Sequence, residues 1–344
     1  MNVACPILFT TGPNMTALII AGLILALILV GVLLKKLRKS PVSWPSLILY
    51  RSMARMQLQK KIFDALLKHP PRGNNAFSVK KYHRKLKVDA RETDGFRWLI
   101  VHPERPTRRH ILFFHGGAYV AGATGAHRRL AEELALKHAF RVSFFDYPLA
   151  PEHHAETTFS YLHKVYRILK AEFPDDLFCL LGDSAGGGLA LAFLQELQKT
   201  NPESMPRKTV LLSPWLDIGL SNPGISHSQK SEVLLHTEGL IQCGTMYRGE
   251  IDSRDPRVSP IYGNFDRLHA TLVFVSRHEL FYPDCCLLKT KMEAATGATI
   301  ELVEREYLVH DWILFPTPER KQTIDYLVRF FRTDFGDGCG RPKP

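Results

Sequence analysis

The segment Cys179-Leu180-Leu181-Gly182-Asp183-Ser184-Ala185-Gly186-Gly187-Gly188 constrains this chain more than any other. An apolar run passes through a tight turn into a Leu/Ala-rich stretch, so a strand hands over directly to a helix with Ser184 at the apex. Such a turn is strained, and the glycines two positions to either side, Gly182 and Gly186, let strand and helix approach that closely. The Ser184 hydroxyl is then presented at a helix N-terminus, where backbone amides and the helix dipole favour developing negative charge.

The flanking sequence supplies companions for that unit. From Phe77 onward, short apolar runs alternate with amphipathic stretches. The pattern predicts strands at Val79–Val88, Arg97–His102, His110–His115, Arg141–Asp146, Leu177–Leu181, Thr209–Ser213, Thr271–Ser276 and Thr299–Glu304. It predicts helices over Ala126–His138, Thr157–Phe173, Ala185–Thr200, Pro283–Ala295 and Pro318–Phe331. Strands alternating with helices imply an α/β fold, with a mostly parallel sheet covered on both faces. About 46 residues, Ser221 to Asp266, interrupt the alternation and read as a helical cap over a site. The catalytic domain on this reading spans 76–334, with a flexible tail at 335–344 that begins near Gly336-Asp337-Gly338. A hydrophobic content of 45% with 23% charged residues is that of an ordinary globular core and excludes a disordered or fibrous chain.

A second motif, Ile111-Leu112-Phe113-Phe114-His115-Gly116-Gly117-Ala118-Tyr119, also follows an apolar run, about 70 residues before the serine turn. A glycine pair lets main-chain amides face a site unobstructed, as stabilising a tetrahedral oxyanion requires. Gly116 and Gly117 are the expected donors, with Ala185 as the third. Between the two motifs lies Asp146-Tyr147-Pro148-Leu149-Ala150-Pro151-Glu152. Together these three motifs resemble the hormone-sensitive-lipase-like family of serine carboxylesterases, over about Arg109 to Phe331. The resemblance implies the α/β-hydrolase fold, a small ester or lipid as substrate, and carboxylic ester hydrolysis through an acyl-enzyme with no cofactor and no metal.

In that fold the triad runs serine, acid, histidine, with the acid after the seventh strand and the histidine after the eighth. After Thr271–Ser276 comes Arg277-His278-Glu279-Leu280, where the family usually has Gly-x-x-Asp-x-Leu. Glu279 is the expected acid, one methylene longer than the usual Asp, and Asp284 is the second candidate, with a helix N-cap as its ordinary role. His310, in Tyr307-Leu308-Val309-His310-Asp311, is the expected general base. His153, His154 and His278 read as surface residues. The neighbouring pair His310 and Asp311 is expected to point apart, as adjacent loop side chains usually do.

The N-terminal third differs in kind. Residues 1–110 hold 20 Lys+Arg against 5 Asp+Glu, a net of +15, while the remainder carries −4 of the overall +11. Thr16 to Leu34 is an uncharged apolar run of 19 residues, about 28 Å long as a helix and near the thickness of a bilayer core. It is longer than a signal-peptide core and its charge follows instead of preceding it, so it reads as an uncleaved transmembrane anchor after a tail of residues 1–15. Lys35, Lys36, Arg38 and Lys39 place the catalytic domain on the cytosolic side by the positive-inside rule. The basic segment 35–75 carries apolar residues at helical spacing from Ser43 to His69, suited to an anionic leaflet or to covering the domain. Cys5, Cys179, Cys243, Cys285, Cys286 and Cys339 form no CxxC pair or zinc-type cluster and fit a reducing compartment.

Three readings compete with a membrane-anchored esterase. A catalytically silent receptor on the same fold should lack a triad residue, and this chain keeps a candidate for each. A luminal deacetylase of related type would need the opposite topology from the one the flanking charges give. Nucleic-acid binding fails on placement, because the basic excess begins at Lys35 beside the apolar run and no stacking-aromatic motif accompanies it.

Overall fold

The computed structural model describes residues 41–72, 76–105 and 107–333. The run Thr16–Leu34 and the tail 335–344 lie outside them. Among the described residues no helix is long and apolar enough to cross a membrane.

Eight strands form one sheet: β1 (Lys87–Thr93), β2 (Phe96–His102), β3 (Arg109–Phe114), β4 (Arg141–Phe145), β5 (Leu177–Asp183), β6 (Lys208–Leu212), β7 (Ala270–Ser276) and β8 (Ile300–Arg305). Their order is β1-β2-β4-β3-β5-β6-β7-β8. β1, β2 and β4 pair antiparallel, and every pair from β4 to β8 is parallel. The helices are α1 (Trp44–Met56), α2 (Gln59–Lys68), α3 (Gly125–His138), α4 (Ala155–Glu172), α5 (Ser184–Thr200), α6 (Ile225–Ser228), α7 (Thr237–Arg248), α8 (Tyr282–Ala294) and α9 (Pro318–Arg332). This is the mostly parallel, helix-covered sheet that the alternating pattern predicted, in the α/β-hydrolase architecture that the family resemblance implied.

Side-chain alternation along the strands divides the core in two. Leu112 and Phe114 face the layer of α4, α5 and α8, while Ile111 and Phe113 face α3 and α9. Both layers close over central strands that are apolar on each face, as parallel strands covered by helices must be.

Two expectations shift. Val79–Val88 is not a strand: Val79–Lys81 is a single 3₁₀ turn, and the first strand lies further on, at β1. β1 is a half-exposed edge strand with little apolar content, so its signal is not hydrophobic. Its signal is the turn that follows, Asp94-Gly95, both at positive φ (53° and 84°), which closes a two-residue hairpin with β2. The Ser43–His69 segment forms two helices, broken where Gln57 adopts a left-handed conformation with φ 47°.

Those two helices are fastened to the domain. Ser43 and Ser46 donate to the Glu319 carboxylate at the start of α9, and Tyr50 Oη donates to the Ser231 carbonyl (2.7 Å). Phe63 of α2 packs so closely on Gly239 of α7 that a methyl group there would lie 2.6 Å from its ring. The insertion between β6 and β7 thus carries α6 and α7, and α2 packs against α7.

Candidate active site

Ser184, Glu279 and His310 come from segments far apart in the chain, and the sheet brings all three to the C-terminal ends of its parallel strands. Ser184 directly follows β5, Glu279 lies three residues beyond β7, and His310 five beyond β8. At the apex Ser184 has φ 51°, a conformation that non-glycine residues rarely adopt. The flanking glycines explain how it is held. A methyl group on Gly182 would lie 2.2 Å from the Gly186 carbonyl oxygen, and one on Gly186 would lie 2.2 Å from that of Phe114.

His310 Nε2 lies 2.9 Å from Ser184 Oγ, a hydrogen bond buried from solvent, with Ser184 6% and His310 4% exposed. On the other side of the ring, Nδ1 faces Glu279 Oε2 at 3.5 Å, longer than a hydrogen bond. Catalytic contacts are often loose in unliganded enzymes and tighten around substrate. Glu279 Oε2 also accepts from Ser213 Oγ (2.8 Å), and that same hydroxyl accepts from the Asp311 amide (3.4 Å). Ser213, at φ 42° directly after β6, was not visible as a site residue in the sequence.

Asp284 sits elsewhere. It lies within the first turn of α8 and accepts from Asn222 Nδ2 at 2.8 Å. His154 is exposed, whereas His153 and His278 are half-buried, packed against Phe96 and Tyr307.

The expected separation of His310 and Asp311 does not occur. Asp311 takes a left-handed backbone conformation (φ 53°, ψ 43°), which turns its carboxylate back to 3.2 Å from His310 Nε2. Burial by itself would lower the basicity of His310; the charges of Asp311 and Glu279 outweigh it and hold the imidazole well above its ordinary range. Burial pushes the Glu279 carboxyl up to about 7, against the opposing pull of His310. Burial likewise raises Asp311 to about 6.

The Gly116 amide also departs from expectation. It donates to Asp183 Oδ2 (2.9 Å), which takes a second contact from His127 Nε2 of α3 (3.0 Å). The amide is therefore engaged by the elbow's own aspartate and is not an open oxyanion donor. Gly117, Ala118 and Tyr119 follow at φ 127°, 54° and 63°, a left-handed turn in which the Gly117 carbonyl accepts from the amides of Val120 and Ala121. Among the described residues no hydrogen bond engages the amides of Gly117 or Ala118. The Ala185 amide lies in the first turn of α5, where no carbonyl four residues back is available within the helix.

Side chains steady the loop. Tyr147 Oη donates to the His115 carbonyl (2.6 Å), and the His115 ring is 2.7 Å from the Gly116 carbonyl through Nδ1. Burial pushes His115 down to about 4, so its imidazole is neutral and Nδ1–H is the donor. Among the described residues no group of three or more His, Cys, Asp or Glu could hold a metal ion.

A family model described as the alpha/beta hydrolase fold matches residues 111–314. An esterase of Acinetobacter venetianus is 38% identical over 205 residues, 58% of this chain and 67% of the relative. The chain belongs to the hormone-sensitive-lipase-like serine esterases. An acetyl-hydrolase of Streptomyces hygroscopicus is 31% identical to this esterase, over 69% of the chain and 80% of the relative. A crystal structure of an esterase from the bacterial hormone-sensitive lipase family superposes with a TM-score of 0.71 at 26% identity, covering 84% of this chain and 97% of the other. The enzyme is thus a carboxylic ester hydrolase.

Proposed function

We propose that this esterase cleaves esters of short or medium acyl groups with apolar alcohols or lipids, through an acyl-enzyme on Ser184. The observation that carries the reading is the 2.9 Å contact between Ser184 Oγ and His310 Nε2 at a positive-φ elbow. His310 takes the Ser184 hydroxyl proton as Oγ bonds to the acyl carbon, then passes it to the alkoxide oxygen as the C–O ester bond breaks. Water repeats the sequence on the acyl-enzyme and frees the acid. Glu279 fixes the imidazole tautomer through Nδ1. The amides of Gly117, Ala118 and Ala185 receive the oxyanion, with Ala118 in the place that Gly116 was expected to fill.

Two features favour an apolar, membrane-borne substrate: the uncharged run Thr16–Leu34 with its basic C-terminal flank, and the basic helices α1 and α2 that follow it. On this reading the run anchors the chain with the catalytic domain on the cytosolic side. Purified enzyme assayed on a panel of acyl esters tests the chemistry, with Ser184→Ala expected to lower turnover by about 10⁴–10⁶. Protease added to sealed vesicles tests the topology. Digestion of the domain from the cytosolic face agrees with it, and protection there overturns it.

A further inference from the structure

His310 carries carboxylates on both of its nitrogens, and the mechanism above uses only one. Glu279 stands at Nδ1, and Asp311 stands 3.2 Å from Nε2, the nitrogen that also meets Ser184 Oγ at 2.9 Å. Asp311 is 7% exposed and held from several sides. Its amide donates to Ser213 Oγ, and the next residue, Trp312, is buried with its indole N–H donating to Thr323 Oγ1 (2.9 Å). An aspartate tolerates the left-handed conformation that turns the carboxylate inward, where a bulky or β-branched residue would be strained.

We infer that Asp311 is a positioning residue of this site, a second carboxylate that acts through His310 Nε2 and sets the pH above which Ser184 can be activated. The inference rests on the serine-esterase reading given above. The two acids divide the work. Glu279 selects the tautomer from behind the ring, while Asp311 stabilises the imidazolium on the side where the proton arrives from Ser184 and leaves to the departing alkoxide. Asp311 stays ionised throughout, and only His310 gains and loses a proton. The same attraction keeps the resting imidazole protonated to a higher pH, so activity must rise as pH climbs through the His310 titration.

The surrounding charges fit this division. Glu279 lies in the turn between β7 and α8, with the buried Glu232 of the insertion acting on it from beyond. On its other side, Asp311 faces Asp183 at the end of β5 and His127 of α3, and His115 stands against that pair. Asp183 is already occupied by the Gly116 amide and His127, so it opposes the Asp311 charge without competing for His310.

The test is the pH dependence of kcat/KM, and of Ser184 labelling by a fluorophosphonate, for the full-length wild type, Asp311→Asn, Asp311→Glu and Glu279→Gln. An opposite charge at this range moves a titration by about one to three units. Asp311→Asn should therefore move the acidic limb of both profiles at least about one unit toward lower pH, and Asp311→Glu should restore it in part. Glu279→Gln should lower the plateau by about 10³–10⁴-fold and, because its charge also acts on the imidazole, move the limb in the same direction, whereas Asp311→Asn should move the limb with the smaller loss of plateau. An unmoved limb in folded Asp311→Asn, or a uniform loss at every pH, overturns the inference. Should Asp311→Asn fail to fold, the imidazole of His310 can be titrated by NMR in Ser184→Ala, where a value at or below the ordinary histidine range overturns it equally. Wild-type enzyme that neither labels nor hydrolyses esters refutes the esterase reading instead.

Discussion

Replacing Glu232 by alanine removes one acceptor from four backbone amides at once. Its Oε1 accepts from Val233 (2.7 Å), Leu234 (2.6 Å) and Leu235 (3.0 Å), and its Oε2 accepts from Leu280 (2.8 Å), the neighbour of Glu279. The side chain is 6% exposed, so little water competes for these donors. A buried donor left without a partner costs about 1–3 kcal/mol. The simple sum exceeds what four amides in one small space can lose, because water can enter the vacated volume and satisfy part of the set. A destabilisation of about 3–5 kcal/mol is expected for Glu232→Ala. Glu232→Gln keeps the shape but has one oxygen where the carboxylate had two. That oxygen will face the three clustered amides and leave an NH₂ group against Leu280 N–H, costing about 1–2 kcal/mol. Urea denaturation reads both values, provided the two variants share the wild-type slope. Because Leu280 follows Glu279, the proposed triad acid, folded Glu232→Gln should also lose about tenfold or more in kcat/KM through a loosened Glu279 loop. A Glu232→Ala protein within about 1 kcal/mol of wild type, or Glu232→Gln as damaging as Glu232→Ala, would show that the carboxylate does not hold these four amides.

Glu279→Gln should lower turnover by about 10³–10⁴, while Asp284→Asn, which alters a contact with Asn222, should leave the rate nearly unchanged; steady-state kinetics of the two variants separates them. Gly186→Ala places a methyl group 2.2 Å from the Phe114 carbonyl oxygen and 2.5 Å from that of His115, both main-chain atoms with little room to yield, so a loss of about 2–3 kcal/mol or more is expected in denaturant unfolding. Burial raises the Asp146 carboxyl to about 6 from 3.8, with Arg97 opposing the shift. Because the folded state then favours the protonated form, this group costs stability progressively as pH rises from about 4 to about 6 and costs it in full above that range. Asp146→Asn should flatten that part of the stability profile and raise neutral-pH stability by about 1–2 kcal/mol, as thermal melts across pH will show.

The serine elbow was legible in the sequence because its chemistry is local. Gly182, Ser184 and Gly186 stand two residues apart within one five-residue segment, and that spacing alone states the strain. The order of Ser184, Glu279 and His310 was legible for a related reason: each follows an apolar run, and parallel strands present their C-terminal ends on one side. What escaped was set by backbone direction at single residues. Whether the Gly116 amide faces Asp183 or an oxyanion, and whether Asp311 turns toward His310 or away, depends on φ and ψ at one or two positions that composition does not encode. Ser213 and Glu232 escaped because their partners lie 66 and 48 residues away, at Glu279 and Leu280. The misplaced first strand had a different cause. β1 is an edge strand with little to bury, so hydrophobic periodicity was silent there, while the Asp94-Gly95 hairpin turn stated its position.

On the proposed mechanism Ser184 becomes covalently acylated under the control of His310. That step is tested most directly by incubating wild-type protein, Ser184→Ala and His310→Ala with a slowly turned-over activated ester, quenching in acid, and locating the added acyl mass by peptide mass spectrometry. One acyl group is expected on the peptide containing Ser184 in the wild type, none at that position in Ser184→Ala, and acylation slowed by about 10⁴-fold or more in His310→Ala. Ester turnover by the wild type with no acyl group on Ser184, or acylation at an unchanged rate without His310, would contradict that mechanism.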